Sequence, residues 1–215
     1  MATTYYLHPK NPQMDRIDKI VAALKGGAVI LYPTDTVYAI GCDLHHKGAI
    51  ERVQRIKHLS ANRHLTLLAP SLSNIAIYAK VSDSAYRLMR HLIPGPFTFL
   101  LPATRVLPRL VLDPKRKTTG IRVPDQPLCQ TLLATLGNPL VSASARLPDG
   151  SEPEYEYELF DALENTVDLI VQLDLPPDQI SATPGVVSTV IDLTEDEPII
   201  VRQGLQWEQA AAFMA

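Results

Sequence analysis

Apolar residues return at Met14, Ile17, Val21 and Leu24, the spacing of one helix face, and Gly26-Gly27 follows as a stop because glycine accepts left-handed backbone. The next run, Ala28 to Tyr32, is short and continuously apolar, as in a buried strand, and Pro33 closes it. A second helical stripe comprises Ala49, Ile50, Val53 and Ile56, with Arg52 and Arg55 turned away from it. Leu65 to Ala69 reads as a strand. Ser82 then caps a helix whose core face is Ala85, Leu88, Met89 and Leu92, and Pro94-Gly95-Pro96 separates that helix from a strand over Phe97 to Leu101. Further along, Thr119 to Val123 predicts a strand, Leu128, Leu132 and Leu136 a helix ending at Gly137, and Pro139 to Ala145 another strand. After a polar, acidic stretch come three strand-like segments, Val167 to Leu173, Ser188 to Leu193 and Ile199 to Arg202, and a short helix from Trp207.

Helices and strands that alternate in this way predict an α/β sheet. No fixed-period repeat is present, and the 18 prolines are scattered among connections, so residues 1–215 read as a single domain. Composition agrees, with 46% hydrophobic and 20% charged residues. No stretch approaches the roughly 18 uninterrupted apolar residues of a membrane helix. Met1 to Asn11 lacks the apolar run of a signal peptide, and the expected compartment is the cytoplasm. Cys42 and Cys129 are far apart and lack the close partners of zinc sites or disulfide frameworks, which makes both buried thiols.

Charge changes the picture once it is divided along the chain. The formal net charge is −3, yet the first 146 residues hold 19 Lys and Arg against 8 Asp and Glu, while 147–201 hold 14 acids and no Lys or Arg. A basic first part attracts anionic partners, or else the two parts neutralise one another. Arg105, Arg109, Lys115, Arg116, Lys117 and Arg122 lie within 18 residues opposed only by Asp113. With Arg52 and Arg55 they form a candidate surface for double-stranded RNA or tRNA, whose readers need positive charge and little base specificity.

Two segments carry candidate chemistry. Pro33-Thr34-Asp35-Thr36-Val37-Tyr38 follows a strand directly, where open α/β sheets present groups to ligands. Its hydroxyls suit a carboxylate or phosphate, although on these residues alone a self-bonded turn is the favoured reading. Val141-Ser142-Ala143-Ser144-Ala145-Arg146 combines small residues, adaptable hydroxyls and one guanidinium suited to bidentate anion binding. No His or Asp patterning around Ser142 and Ser144 suggests a triad, so no serine nucleophile is expected.

These motifs together resemble the YrdC/YciO family: PTDTVYAIGCD (33–43), AIERVQRIK (49–57), PGPFTFLLP (94–102), TTGIRVPDQP (118–127), VSASA (141–145), STVIDLT (188–194) and VRQG (201–204) occur in family order. The chain looks most like the YciO branch, through YYLHPKNPQ, KRKTTGIRVP and STVIDLT. The resemblance implies a twisted mixed sheet flanked by helices, with a concave basic surface. It also implies L-threonylcarbamoyladenylate synthesis from ATP, L-threonine and bicarbonate for tRNA modification, Mg2+ arriving on the nucleotide phosphates. By the same resemblance Thr36, Arg122 and Ser188 fall at the threonine site. Lys57, Thr118, Ser142, Ser144 and Arg202 fall at the nucleotide site, where Arg63 and Arg146 add charge. Three positions depart from the pattern: Leu59 stands for an arginine that meets ATP, Leu68 for a threonine-site histidine, and Arg146 for an asparagine. The expected function is therefore nucleotide and RNA binding with weakened or altered synthase activity, the alternative being a non-catalytic module for double-stranded RNA, tRNA or the ribosome.

Overall fold

A computed structural model describes residues 1–57, 65–73, 75–175 and 187–214. Its strands are β1 (Thr3–Leu7), β2 (Ile30–Tyr32), β3 (Ala39–Asp43), β4 (Thr66–Leu68), β5 (Phe97–Pro102), β6 (Thr118–Arg122), β7 (Leu140–Ser144), β8 (Leu169–Leu173), β9 (Thr189–Asp192) and β10 (Ile199–Arg202). The helices are α1 (Met14–Lys25), α2 (Lys47–Ile56), α3 (Ile75–Tyr78), α4 (Asp83–Leu92), α5 (Pro127–Leu136), α6 (Glu156–Leu163) and α7 (Trp207–Met214). All ten strands join one mixed sheet in the order β1-β8-β2-β3-β7-β4-β6-β5-β9-β10. The predicted α/β sheet is thus present. The segments Thr3–Leu7, Ala39–Asp43, Ile75–Tyr78 and Glu156–Leu163 gain regular structure that the hydrophobic pattern does not announce.

Local chemistry accounts for the helix ends. Ser82 Oγ accepts from the Ala85 amide at 3.2 Å, the cap expected for α4. Gly137 closes α5 in left-handed backbone at φ 81°. At the start of α5 the Gln126 side chain accepts from the Cys129 amide at 2.7 Å.

Alternation along the strands divides the interior in two. Leu31, Ile40, Leu67, Ile121, Val141, Ile170 and Ile191 face the larger core, which the buried residues of α2, α4 and α6 also join. Their neighbours Ile30, Tyr32, Ala39, Leu68, Leu140, Leu169 and Val171 face the other side, where α1 and α5 pack. Each fully buried leucine of α5 contributes roughly 2 kcal/mol through lost apolar surface, and Leu128, Leu132 and Leu133 are wholly buried. The α1–α5 pair covers only part of this face. Along β5 the pattern Phe97-Thr98-Phe99-Leu100-Leu101 puts Phe97, Phe99 and Leu101 in the large core, and leaves Thr98 and Leu100 on a face that no helix among the described residues covers, where they line a cavity.

Candidate ligand-binding site

The uncovered half-face is the floor of a cavity of about 570 Å3. Register builds it. Ser142 on β7 pairs with Thr66 on β4, which pairs with Gly120 on β6. A Cβ at Gly120 would come within 3.3 Å of both Thr66 Oγ1 and Thr98 Cγ2, so glycine keeps the floor flat between two threonines. One row further, Leu68 pairs with Arg122. Thr36, Lys57, Ser144, Arg146, Ser188 and Arg202 rise around this floor.

Arg122 is buried, with 9% of its side chain exposed, and forms an ion pair with Asp35 Oδ1 at 2.6 Å. Its Nη1 and Nη2 each donate to Thr36 Oγ1 at 3.1 Å. Arg122 Nε and Asp35 Oδ2 are buried with no hydrogen-bond partner among the described residues. The turn beneath them is self-bonded as well: Thr34 Oγ1 donates to the Val37 carbonyl at 2.7 Å and accepts from the Thr36 amide at 3.1 Å. The self-bonded turn is thus present, and it rigidifies the residues that grip Arg122.

Arg202 donates through Nε and Nη2 to the Ser188 carbonyl at 3.0 and 2.8 Å, and through Nη2 to Ser188 Oγ at 3.0 Å. Gly204 explains the glycine of VRQG: a Cβ there would meet the Val187 carbonyl oxygen at 2.3 Å, so only glycine lets the chain pass so close to the Val187-Ser188 backbone that leads into β9. Arg146 reaches Glu152 Oε1 at 3.1 Å and the Gly150 carbonyl at 3.3 Å. Lost hydration first, then the charges of Arg122 and Arg146, lower the pKa of Arg202 from its ordinary value. The charges of two other guanidinium groups around the cavity thus reach Arg202, while those two are themselves paired with Asp35 and Glu152.

Hydroxyl orientation adds to this. Tyr32 Oη donates to Ser142 Oγ at 2.6 Å, and burial pushes the Tyr32 phenol well above its ordinary pKa, so it stays a donor. With its oxygen already accepting, the Ser142 proton is free for a ligand oxygen. On the far wall Thr98 Oγ1 and Ser188 Oγ lie 2.8 Å apart. Cys42 and Cys129 are buried free thiols, and loss of hydration pushes both up to about 12, as expected of inert sulfhydryls.

Eight of the residues named from sequence meet here: Thr36, Lys57, Arg122, Ser142, Ser144, Arg146, Ser188 and Arg202. Thr118 is buried at the start of β6, paired with Pro102, and does not reach the cavity wall. Leu59 and Arg63 lie outside the described residues. Thr66, Thr98 and Leu100 join the lining without having been singled out; the two threonines carry a signal, a polar position that interrupts an otherwise apolar strand, and Leu100 carries none.

The basic residues divide into two groups. Arg52 grips Asp168 with two hydrogen bonds at 2.7 and 3.1 Å, and Arg116 pairs with Asp192 at 2.8 Å. Both side chains hold the fold together. Arg55, Arg105, Arg109, Lys115 and Lys117 are exposed, Arg55 donating to the Glu51 carbonyl of its own helix at 3.5 Å.

Comparison with known proteins places this geometry. Residues 22–204 match the model of the Sua5, YciO and YrdC family, which carries the description telomere recombination. The chain belongs to that family. It is 42% identical to the uncharacterized protein YciO of Escherichia coli K12 over 209 residues, 95% of this chain and 97% of that one. The crystal structure of E. coli YciO superimposes with a TM-score of 0.84. The threonylcarbamoyl-AMP synthase of Vibrio vulnificus is 34% identical over 161 residues, 74% of this chain and 86% of its own. Sua5 from Pyrococcus abyssi, solved with L-threonine, shares the fold, with a TM-score of 0.85 at 24% identity over all of this chain and 61% of that one. No helix among the described residues is long and apolar enough to cross a membrane.

Proposed function

We propose that this YrdC-like protein binds ATP and an amino-acid carboxylate side by side in the cavity and forms a threonylcarbamoyladenylate-type product, more slowly than its synthase relatives. The convergence of Arg122, Arg146 and Arg202 with the hydroxyls of Thr36, Ser142, Ser144 and Ser188 around one cavity of about 570 Å3 carries the reading. Arg122, deepest and already shaped around oxygen, takes the carboxylate as a bidentate pair. Arg202, Arg146 and Lys57 neutralise phosphates while the serines donate to phosphate or ribose oxygens. A carbamoylated amino acid would attack the α-phosphorus, forming one P–O bond as that to pyrophosphate breaks. Positioning and charge neutralisation suffice, with no protein nucleophile. The lining donors are guanidinium, ammonium and hydroxyl, which fit phosphate oxygens and not a bare divalent ion, so Mg2+ would enter on the nucleotide.

Leu68 sits 3% exposed in the cavity beside Arg122 and offers no hydrogen bond. Losing one charge-assisted contact costs on the order of 1.5 to 3 kcal/mol, about ten- to a hundredfold in affinity. The test is calorimetric titration with ATP, with and without L-threonine, alongside adenylate and pyrophosphate assays using bicarbonate. Saturable ATP binding that Arg202→Ala weakens at least tenfold, with adenylate formed more slowly than by the V. vulnificus synthase, is the expected result. Absence of saturable ATP binding overturns it.

The exposed Arg105, Arg109, Lys115 and Lys117 favour a second property of the same protein, sequence-independent binding of duplex RNA or tRNA. Replacing all four with Ala lowers duplex RNA affinity and flattens its salt dependence. An unchanged salt slope removes this reading.

A further inference from the structure

A second cavity, of about 490 Å3, opens at the N-terminal end of α2, away from the ligand site. Leu44, Ile50 and Leu110 form its apolar wall, all three belonging to or packed on the larger core. The Tyr78 ring lies beside them, and Val106 stands at the wall with 67% of its surface exposed. Lys47, Arg109 and His45 supply the polar lining. A concave apolar site of this size with a few convergent polar groups is what small-molecule recognition requires.

The charges there are not accounted for by the fold. Lys47 opens α2, whose first turn contains no acid. An ammonium beside the positive end of a helix costs stability unless an anion joins it. It pairs with Glu51 at 3.7 Å in an exposed contact, of little energetic worth. Arg109 makes no side-chain hydrogen bond or ion pair among the described residues. Asp43, the nearest buried acid by sequence, is occupied through Oδ1 by the His45 amide and the Asn138 side chain, each at 2.8 Å.

We propose that this cavity binds a small amphipathic anion, with a ring-sized apolar body against Leu44, Ile50 and Leu110 and a phosphate or carboxylate between Lys47 and Arg109. The body excludes water from the wall, and the guanidinium fork grips two anion oxygens. This site is independent of the nucleotide reading. It is tested by titrating the 15N-labelled full chain with phenyl phosphate and, separately, phenylacetate, following backbone amides by NMR. Saturable shifts concentrated at residues 44–50 and 106–110 are expected. Inorganic phosphate, lacking the body, and benzyl alcohol, lacking the charge, bind at least tenfold more weakly than the better aryl anion. Arg109→Ala and Lys47→Ala, both at exposed positions, each weaken that anion about tenfold while leaving other resonances in place. Shifts confined to residues around Arg122, equal affinity for inorganic phosphate, or unchanged affinity in both variants overturns the proposal.

Discussion

Arg122 has a structural task and, under the proposed function, a ligand-binding one in the same place. Its charge is balanced by Asp35 at 2.6 Å, in a pair with 9% and 8% of the two side chains exposed, and removing one partner of such a pair strands the other without compensation. Asp35→Asn is expected to lower unfolding free energy by about 3 kcal/mol in urea denaturation. A loss below about 1 kcal/mol would show that water, not Asp35, balances the guanidinium. Leu68 poses the opposite case, a residue that stabilises the core and, under the proposed function, offers the ligand no hydrogen bond. Leu68→His puts a hydrogen-bond donor next to the carboxylate site, and threonine-dependent adenylate formation is expected to rise at least tenfold in kcat/KM. The same variant loses about 1 to 3 kcal/mol of stability by burying a polar ring in an apolar setting. No gain in threonine turnover would mean that Leu68 is not what slows this protein.

At the scale of elements, legibility followed local pattern and punctuation, not burial: β3 is buried throughout and escaped notice, while the mostly exposed β10 did not. α1, α4 and α5 were readable because one face is apolar at helical spacing and a cap or glycine marks an end. β3 was hidden inside PTDTVYAIGCD, whose hydroxyls drew attention to chemistry, although Gly41 is itself a structural demand: a Cβ there would come within 2.7 Å of Leu140 and 2.8 Å of Tyr32. α6 was hidden by charge, since Glu156, Glu158 and Asp161 lie in what the pattern shows only as a polar, acidic stretch, and Leu159 and Leu163 are its buried residues. The site was legible as residues and motifs. Its shape was not, because no local pattern says that α1 and α5 stop short of β5, β6 and β9. The acidic stretch before α6 has a role that composition concealed. Glu152 holds Arg146 beside Ser144 and Val187, at the cavity rim, and so competes with any phosphate for that guanidinium. Glu152→Gln is expected to raise ATP affinity severalfold, with the difference shrinking as salt is added because the pair is half exposed. Equal affinity in calorimetry at low salt would show that Arg146 does not meet the nucleotide.

Across the whole molecule, the basic first part and the acidic segment from 147 to 201 are partly neutralised by each other. Arg52–Asp168, Arg116–Asp192 and Arg146–Glu152 all join the two. The first ties α2 to the start of β8, where Asp168 Oδ2 also accepts from the Val29 amide at 2.7 Å. Burial works to raise the Asp168 carboxyl, but hydrogen bonds from Arg52 and Val29 and the Arg52 charge outweigh it and lower its pKa. Burial likewise works to raise Asp192, and the hydrogen bonds from Thr194 and Arg116 lower it. A carboxyl with a depressed pKa in the folded chain binds its proton more readily once unfolded, so it contributes stability above the ordinary carboxylate value of about 3.9 and loses it as pH falls through the folded value. Glu156 runs the other way, since burial raises it and its protonation on acidification favours the fold. The urea midpoint is therefore expected to fall steadily below about pH 4, from Asp168 and Asp192 acting together. Arg52→Ala and Arg116→Ala should each flatten that fall, Arg52→Ala also costing stability at neutral pH because it frees two elements at once. Both pairs are partly exposed, so each effect is modest and shrinks in high salt. A wild-type midpoint that stays level from pH 5 to pH 3, or a fall of equal depth in both variants, would locate the acid sensitivity elsewhere and reduce these bridges to decoration on a fold held by its two cores.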